Sequence, residues 1–294
     1  MGKYGNADDV IDLIAASLVP GRPDVTRHLF NAVGARAPDV VWSPNDAELR
    51  NPLLRQFAEI CSKYHDENGN ISANAIRLED FGGLTDWIML IDVLDQGQDF
   101  RYTFYGPEIA DYYGQDMTGQ RTSEFGGHIS TFFGGLYKAI MRRGETAYSE
   151  HEPPQNVFVR VWQRLIIPLV DENDSVIRFI ALNVPENELR TGLEFMVDPV
   201  MVLTDSRKIV YTNRAAMVLF SMTRPPRGAQ FEEVTDIGFE TELSLTEMLS
   251  QHRVDDTVQL VVRGAMVERL VMTVSAAQHR NAAFYVVVLR IIGS

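Results

Sequence analysis

Apolar positions along the first sixty residues recur at helical spacing. Val10, Ile11, Leu13, Ile14 and Leu18 form one stripe that stops at Pro20-Gly21-Arg22-Pro23, and Val25 to Val33 reads as a second helix. Trp42-Ser43-Pro44-Asn45-Asp46 supplies a turn and a capping signal. It precedes a third helix whose apolar face carries Leu53, Leu54, Phe57, Ile60, Cys61 and Tyr64. From Trp87 the period shortens to that of strands. Trp87 to Leu94 and Phe100 to Tyr105 flank the turn Asp95-Gln96-Gly97-Gln98. Phe132, Phe133, Leu136, Ala139 and Ile140 then face one side of a helix that ends at Arg143-Gly144. Three further strands follow, Ala147 to His151, Val157 to Leu169 and Val176 to Val184, the last two joined by an acidic turn beginning at Asp171.

The strand-turn-helix pattern around Tyr105-Gly106-Pro107 returns around Tyr211-Thr212-Asn213, with Tyr211 106 residues beyond Tyr105. Downstream, Val267 to Ala276 answers Val157 to Leu169, and Ala283 to Ile292 answers Val176 to Val184. A repeat of this period in 294 residues implies two similar domains. Pro185 interrupts the last strand of the first copy, and Glu186 to Phe195 fits a linker helix. The expected division is an N-terminal helical segment (1–46), domain one (47–184), a linker helix (185–196) and domain two (197–294).

The second copy, through Val197-Asp198-Pro199-Val200-Met201-Val202-Leu203-Thr204-Asp205, Ile209 to Asn213 and Ala215-Ala216, resembles the PAS sensory family. The first resembles the PAS variant common in alphaproteobacterial proteins, through Ile91-Asp92-Val93, Asp99 to Tyr102, Gly106 and Gly114 to Gly119. The resemblance spans about residues 50 to 292 and implies an α+β fold. In each half it implies a five-stranded antiparallel sheet with helices on one face and a pocket between them. It also implies a sensing or dimerising role rather than catalysis.

A net charge of −13 argues against a phosphate-neutralising nucleic-acid surface. No run reaches the ~18 apolar residues of a membrane span, and the start lacks a signal-peptide pattern, so the expectation is a cytoplasmic protein. Cys61, the single cysteine, excludes an intramolecular disulfide and reads as a core thiol. No metal site is expected, because no two histidines have the i, i+4 spacing and the Asp171 turn lacks the glycine and glutamate of a calcium loop.

Strict alternation in Val157 to Leu169 places Val161, Gln163, Leu165 and Ile167 on one face and Phe158, Arg160, Trp162 and Arg164 on the other. The charged face is expected to be wet. On that assumption Gln163 and Asn183 are inward amides able to read a planar ligand's edge. Arg178 is expected to point out, with Ile177, Phe179 and Ala181 pointing in. Tyr113, at the end of the paired-Tyr helix, joins them as a candidate ligand contact. The family resemblance adds His128, with His151, as the sites where a haem-binding relative would place its axial histidine. The cofactor is left open between none, non-covalent flavin and haem, since no Asn-Cys-Arg-Phe photosensor run is present.

No catalytic residue is expected. Domain one is the expected ligand binder. Domain two should be filled by Met217, Leu219, Leu245 and Met248. The chain thus reads as the sensory region of a bacterial signalling protein, a homodimer through its N-terminal or linker helices. Its effector would lie outside this chain and be a diguanylate cyclase, a nucleotide cyclase or a histidine kinase. A stand-alone interaction adaptor, or a small α+β enzyme, are the alternatives.

Overall fold

The computed structural model describes residues 7–153, 157–186, 192–239, 242–251, 257–260, 270–279 and 282–291. The chain divides into two compact units after Glu186, with Val157 and Phe158 grouped with the second. Each is α+β and built on an antiparallel sheet with packed helices, as the resemblance to two PAS domains implies.

The first unit opens with α1 (Ala7–Leu18), α2 (Asp24–Asn31), the short strand β1 (Asp39–Trp42) and α3 (Pro52–Ser62). Asn51 caps α3 by accepting the Leu53 N–H at 3.0 Å, and Pro52 presets the first helical φ. A 3₁₀ segment, Leu78–Trp87, leads into β2 (Ile88–Leu94) and β3 (Asp99–Tyr105). Three helices follow, α4 (Pro107–Tyr113), α5 (Thr122–Phe125) and α6 (Gly127–Arg143). Helix α6 is closed by Gly144 in the left-handed conformation, whose N–H returns to the Ile140 carbonyl at 2.8 Å. Strands β4 (Ala147–His151), β5 (Val161–Val170) and β6 (Val176–Glu186) complete the unit.

Sheet order is β1-β4-β5-β6-β2-β3. The sixth strand β1, which the sequence does not signal, pairs along β4 from Asp39↔Glu150 to Trp42↔Ala147. At the other edge, Tyr102 N–H donates to the Gln120 carbonyl at 3.1 Å and Gly119 N–H to the Tyr102 carbonyl at 2.7 Å.

Besides the helices expected on one face of this sheet, α3 covers the other. Leu165, Ile167, Ile180 and Leu182 pack with Leu54, Phe57 and Cys61 of α3 and with Phe81. The opposite face meets α6, where Tyr137 stacks on Phe179 with centroids 5.2 Å apart and Phe100 lies edge-on to Tyr137 at 5.1 Å. The N-terminal helices also belong to this unit rather than standing apart. Helix α1 lies on α6 so closely that a Cβ at Gly135 would sit 2.4 Å from Ile14 Cγ2. Lys138 Nζ bonds Asp12 Oδ1 at 2.9 Å, and the Arg143 guanidinium bonds the Val19 carbonyl.

The second unit comprises β7 (Val200–Thr204), β8 (Ile209–Thr212), α7 (Arg214–Leu219), α8 (Phe231–Thr235), α9 (Leu245–Gln251), β9 (Thr257–Leu260), β10 (Leu270–His279) and β11 (Ala282–Ile291). Its sheet order is β8-β7-β11-β10-β9. With β2–β6 matched to β7–β11 in chain order, the two sheets have the same topology. One face buries Met201, Ile209, Phe231, Leu245, Met272 and Leu289, with Leu219 and Met248 half-buried against them; Met217 is half-buried. The other buries Phe158, Leu193, Val200, Val202, Tyr211 and Phe284. Of the expected linker helix, residues 187–191 lie outside the described residues; the sequence of the second domain also predicts a short helix from Leu243 to His252, of which His252 lies outside them.

The step from second strand to helix is built differently in the two units. Gly106 N–H bonds the Ile88 carbonyl at 2.8 Å, and a Cβ there would lie 2.2 Å from the Asp86 carbonyl oxygen. At the equivalent step Asn213 N–H bonds the Val200 carbonyl at 3.0 Å. Its side chain accepts from Val200 and Ala216 N–H and donates to the Leu193, Met196 and Asp198 carbonyls.

Candidate functional site

The first unit holds a half-open cavity of about 220 Å³ between β3, β5 and the helices α4 to α6. Its apolar wall comes from Met117, Phe125, Ile129 and Phe133; Tyr102, Tyr105, Tyr113 and Arg164 supply polar atoms. These residues meet because Arg164 stands on β5 directly opposite Asn183 on β6, on the face toward α6. In the first unit α6 is 17 residues long, and its Ile129, Ser130 and Phe133 line the cavity. In the second unit the helices α7, α8 and α9 run 6, 5 and 7 residues, and their side chains pack directly onto the strands.

Arg164 is 3 % exposed. Its Nε donates to Asn183 Oδ1 at 2.9 Å, its Nη1 to the Tyr137 hydroxyl at 3.3 Å, and its guanidinium carbon lies 3.9 Å above the Phe133 ring. Among the described residues no carboxylate lies within ion-pairing distance of it. The Tyr137 hydroxyl continues to that of Tyr102 at 3.4 Å, so a short chain of phenols starts at the cation. Tyr113 stacks on Trp162 at 5.7 Å. Burial raises its hydroxyl pKa to about 12, against the opposing pull of the Arg164 charge. Tyr105 and Tyr137 are likewise pushed well up by burial. All three therefore stay protonated near neutral pH and can donate hydrogen bonds.

Of the residues singled out from the sequence, Tyr113 lines the cavity. Gln163 and Asn183 do not share a face. Gln163 pairs in register with Val184, lies on the α3 side of the sheet and donates to Glu150 Oε1 at 3.2 Å. Asn183 is fully buried on the α6 side and acts on the cavity through Arg164. The face expected to be wet is the one that carries Trp162 and Arg164, both buried; Arg160, at the margin, is exposed and pairs with Glu186 at 2.6 Å. Arg178 is half-buried and paired with Asp92, and Ile177 is exposed. The alternation was right, but α3 buries the other face, so polarity alone could not tell wet from dry. The signal for Arg164 is Trp162 two residues earlier on the same face, since a fully exposed tryptophan is uncommon.

His128 lies edge-on to Phe30 at 4.8 Å and is not among the cavity-lining residues. Burial lowers its pKa. His151 packs on Phe133 at 4.8 Å, also away from the lining. With no axial histidine at the wall, and a volume below the roughly 300 Å³ at which pockets for drug-sized ligands begin, the site does not fit haem or flavin. Among the described residues no group of three or more His, Cys, Asp or Glu could hold a metal ion.

No protein-family model and no curated protein matches the chain. Among solved structures it is similar to the PAS domain of nitrogen regulation protein NR(II) from Vibrio parahaemolyticus. Identity is 22 %, covering 36 % of this chain and 100 % of that one, with a TM-score of 0.29. The PAS domain of an HTR-like protein from Haloarcula marismortui is 16 % identical over 35 % of this chain and 94 % of its own, with a TM-score of 0.28. The ligand-binding domain of the Pseudomonas aeruginosa PAO1 amino acid chemoreceptor PctC, solved with GABA, is 9 % identical. It covers 94 % of each chain at a TM-score of 0.27. Likeness at these scores says nothing of what this chain binds.

Proposed function

We propose that this chain is the sensory region of a bacterial cytoplasmic signalling protein. In this reading its first PAS-type domain perceives a small molecule, its second relays the change, and an effector outside the chain, a cyclase or a histidine kinase, responds. The observation that carries it is the half-open cavity over the first sheet, with a buried cation at its wall. A ligand there shifts an equilibrium by binding one arrangement of α4 to α6 better than another. Catalysis has no support in the lining. That lining holds no His, Cys, Asp or Glu, and burial pushes Tyr105 and Tyr113 upward, away from the range of acid-base work at neutral pH.

The test is a thermal-shift screen of acids, bases and neutral small molecules on the wild type and on Ile129→Trp, which fills the cavity. At least one compound should stabilise the wild type, fail on the variant, and be recovered unchanged after incubation. A screen in which no compound distinguishes the two proteins, or one in which the hit is consumed, rejects the sensory reading.

A further inference from the structure

The charge state of the cavity narrows its ligand further, on the premise that it is a sensory pocket. Moving an ion out of water costs several kcal/mol even after relaxation, and buried cations ordinarily sit against a carboxylate. Arg164 has only neutral partners, the Asn183 amide oxygen and the Tyr137 hydroxyl. Its third nitrogen, Nη2, donates to no described residue, and Arg164 borders the cavity. Beside it Asn183 Nδ2, on a fully buried side chain, also has no partner among the described residues. The hydroxyls of Tyr105 and Tyr113 border the same space. Arg164 and the two tyrosines therefore bring three donors and no acidic acceptor to one end of a chamber whose other wall is Phe125, Ile129 and Phe133.

We propose that the cavity binds a small aromatic monocarboxylate, with its carboxylate toward Arg164 and the tyrosine hydroxyls and its ring against the apolar wall. A guanidinium edge matches a carboxylate in its plane, and the ion supplies the counter-charge the fold omits. One cation at the wall selects one negative charge. The size agrees, because a dry cavity of about 150 Å³ holds benzene and this one is about 220 Å³, enough for a ring and a carboxylate. Inorganic phosphate would leave the aromatic wall unused.

The experiment is calorimetric titration of the full chain with benzoate and phenylacetate, against benzamide and inorganic phosphate as isosteric and anionic controls. Acids should bind saturably, with benzamide at least tenfold weaker and phosphate without heat. Tyr113→Phe, which keeps the ring and its stacking, should weaken the acids about tenfold. Arg164→Gln should lose them. Should Arg164→Gln fail to fold, the benzamide comparison and Tyr113→Phe decide alone. Equal binding of benzamide and benzoate, or no binding of either acid at millimolar concentration, overturns the carboxylate assignment. If a neutral compound from the screen binds the wild type and not Ile129→Trp, the sensory reading survives while this inference falls.

Discussion

Asn213 and Gly106 stand at the same step of the two repeats, and each is held there by a different constraint. Asn213 satisfies two backbone donors and three carbonyls at once while fully buried. Asn213→Ala should therefore cost roughly 2–4 kcal/mol, because it strands buried backbone groups as well as removing a helix cap; denaturant unfolding measures it. At Gly106 the obstacle is backbone, the Asp86 carbonyl, which cannot swing away as a side chain would. Cys61 gives a pH-dependent expectation. Burial raises its thiol from about 9 to about 12, so the folded chain keeps a proton that the unfolded chain releases above about pH 9. Its contribution is present below pH 9 and is lost as pH rises toward 12, by up to about 1.4 kcal/mol per pH unit. Stability of Cys61→Ala should fall less steeply over that window than wild type. The thiol should also resist iodoacetamide in the native protein. The family resemblance and Cys61's apolar stripe were readable from the residues, whereas Arg164 was not. Its burial depends on a helix from the far N-terminal side of the chain taking the opposite face of the sheet.

At the scale of elements, α1 and α6 show how a pattern can be right about structure and silent about partner. The stripe Val10, Ile11, Leu13, Ile14 and Leu18 predicted a helix that must be covered; Ile14 and Leu18 are buried while Leu13 stays exposed, and the two adjacent glycines of α6 decide what covers it. A side chain at Gly135 would enter Ile14 and the Ile11 carbonyl. Gly135→Leu should lift α1 from α6 at a cost of about 1–3 kcal/mol or more, read as a lowered Tm and faster amide exchange along Ala7–Leu18. Asp12→Ala should cost roughly 1–3 kcal/mol, since it leaves the buried Lys138 ammonium with the neutral Gln98 as its partner. Strand β1 escaped the sequence because four residues, Asp-Val-Val-Trp, carry too little alternation to separate a strand from a loop. Only the edge of β4 makes them one.

For the molecule as a whole, the 106-residue repeat foretold two sheets of one topology, because strand order follows from where apolar runs and turns fall along the chain. The expected homodimer is reshaped by the fold. Most of the α1 stripe is spent inside its own unit, and among the described residues the most exposed large apolar side chains are Phe195 at 83 % and Val197 at 93 %, at the end of the linker, which makes them the candidate surface for pairing. Light scattering should give a dimer at micromolar concentration, and Phe195→Asp with Val197→Asp should give a monomer of 33.1 kDa. A wild-type monomer would overturn the homodimer expected from the sequence. The strip Asp39–Trp42 along β4, and the 119–120 loop along β3, bear on how such pairing can occur. Strand β1 takes up the edge of β4, the loop takes up the Tyr102 backbone groups midway along β3, and the outermost strand on the first side is only four residues long with an aspartate at its head. Short, charged borders of this kind are poor templates for a neighbouring chain. A crowded solution of this protein should thus be guarded, on that side, against ribbon-like growth into fibrils, and any partner of the first unit must be recognised by its side chains rather than by annealing another strand.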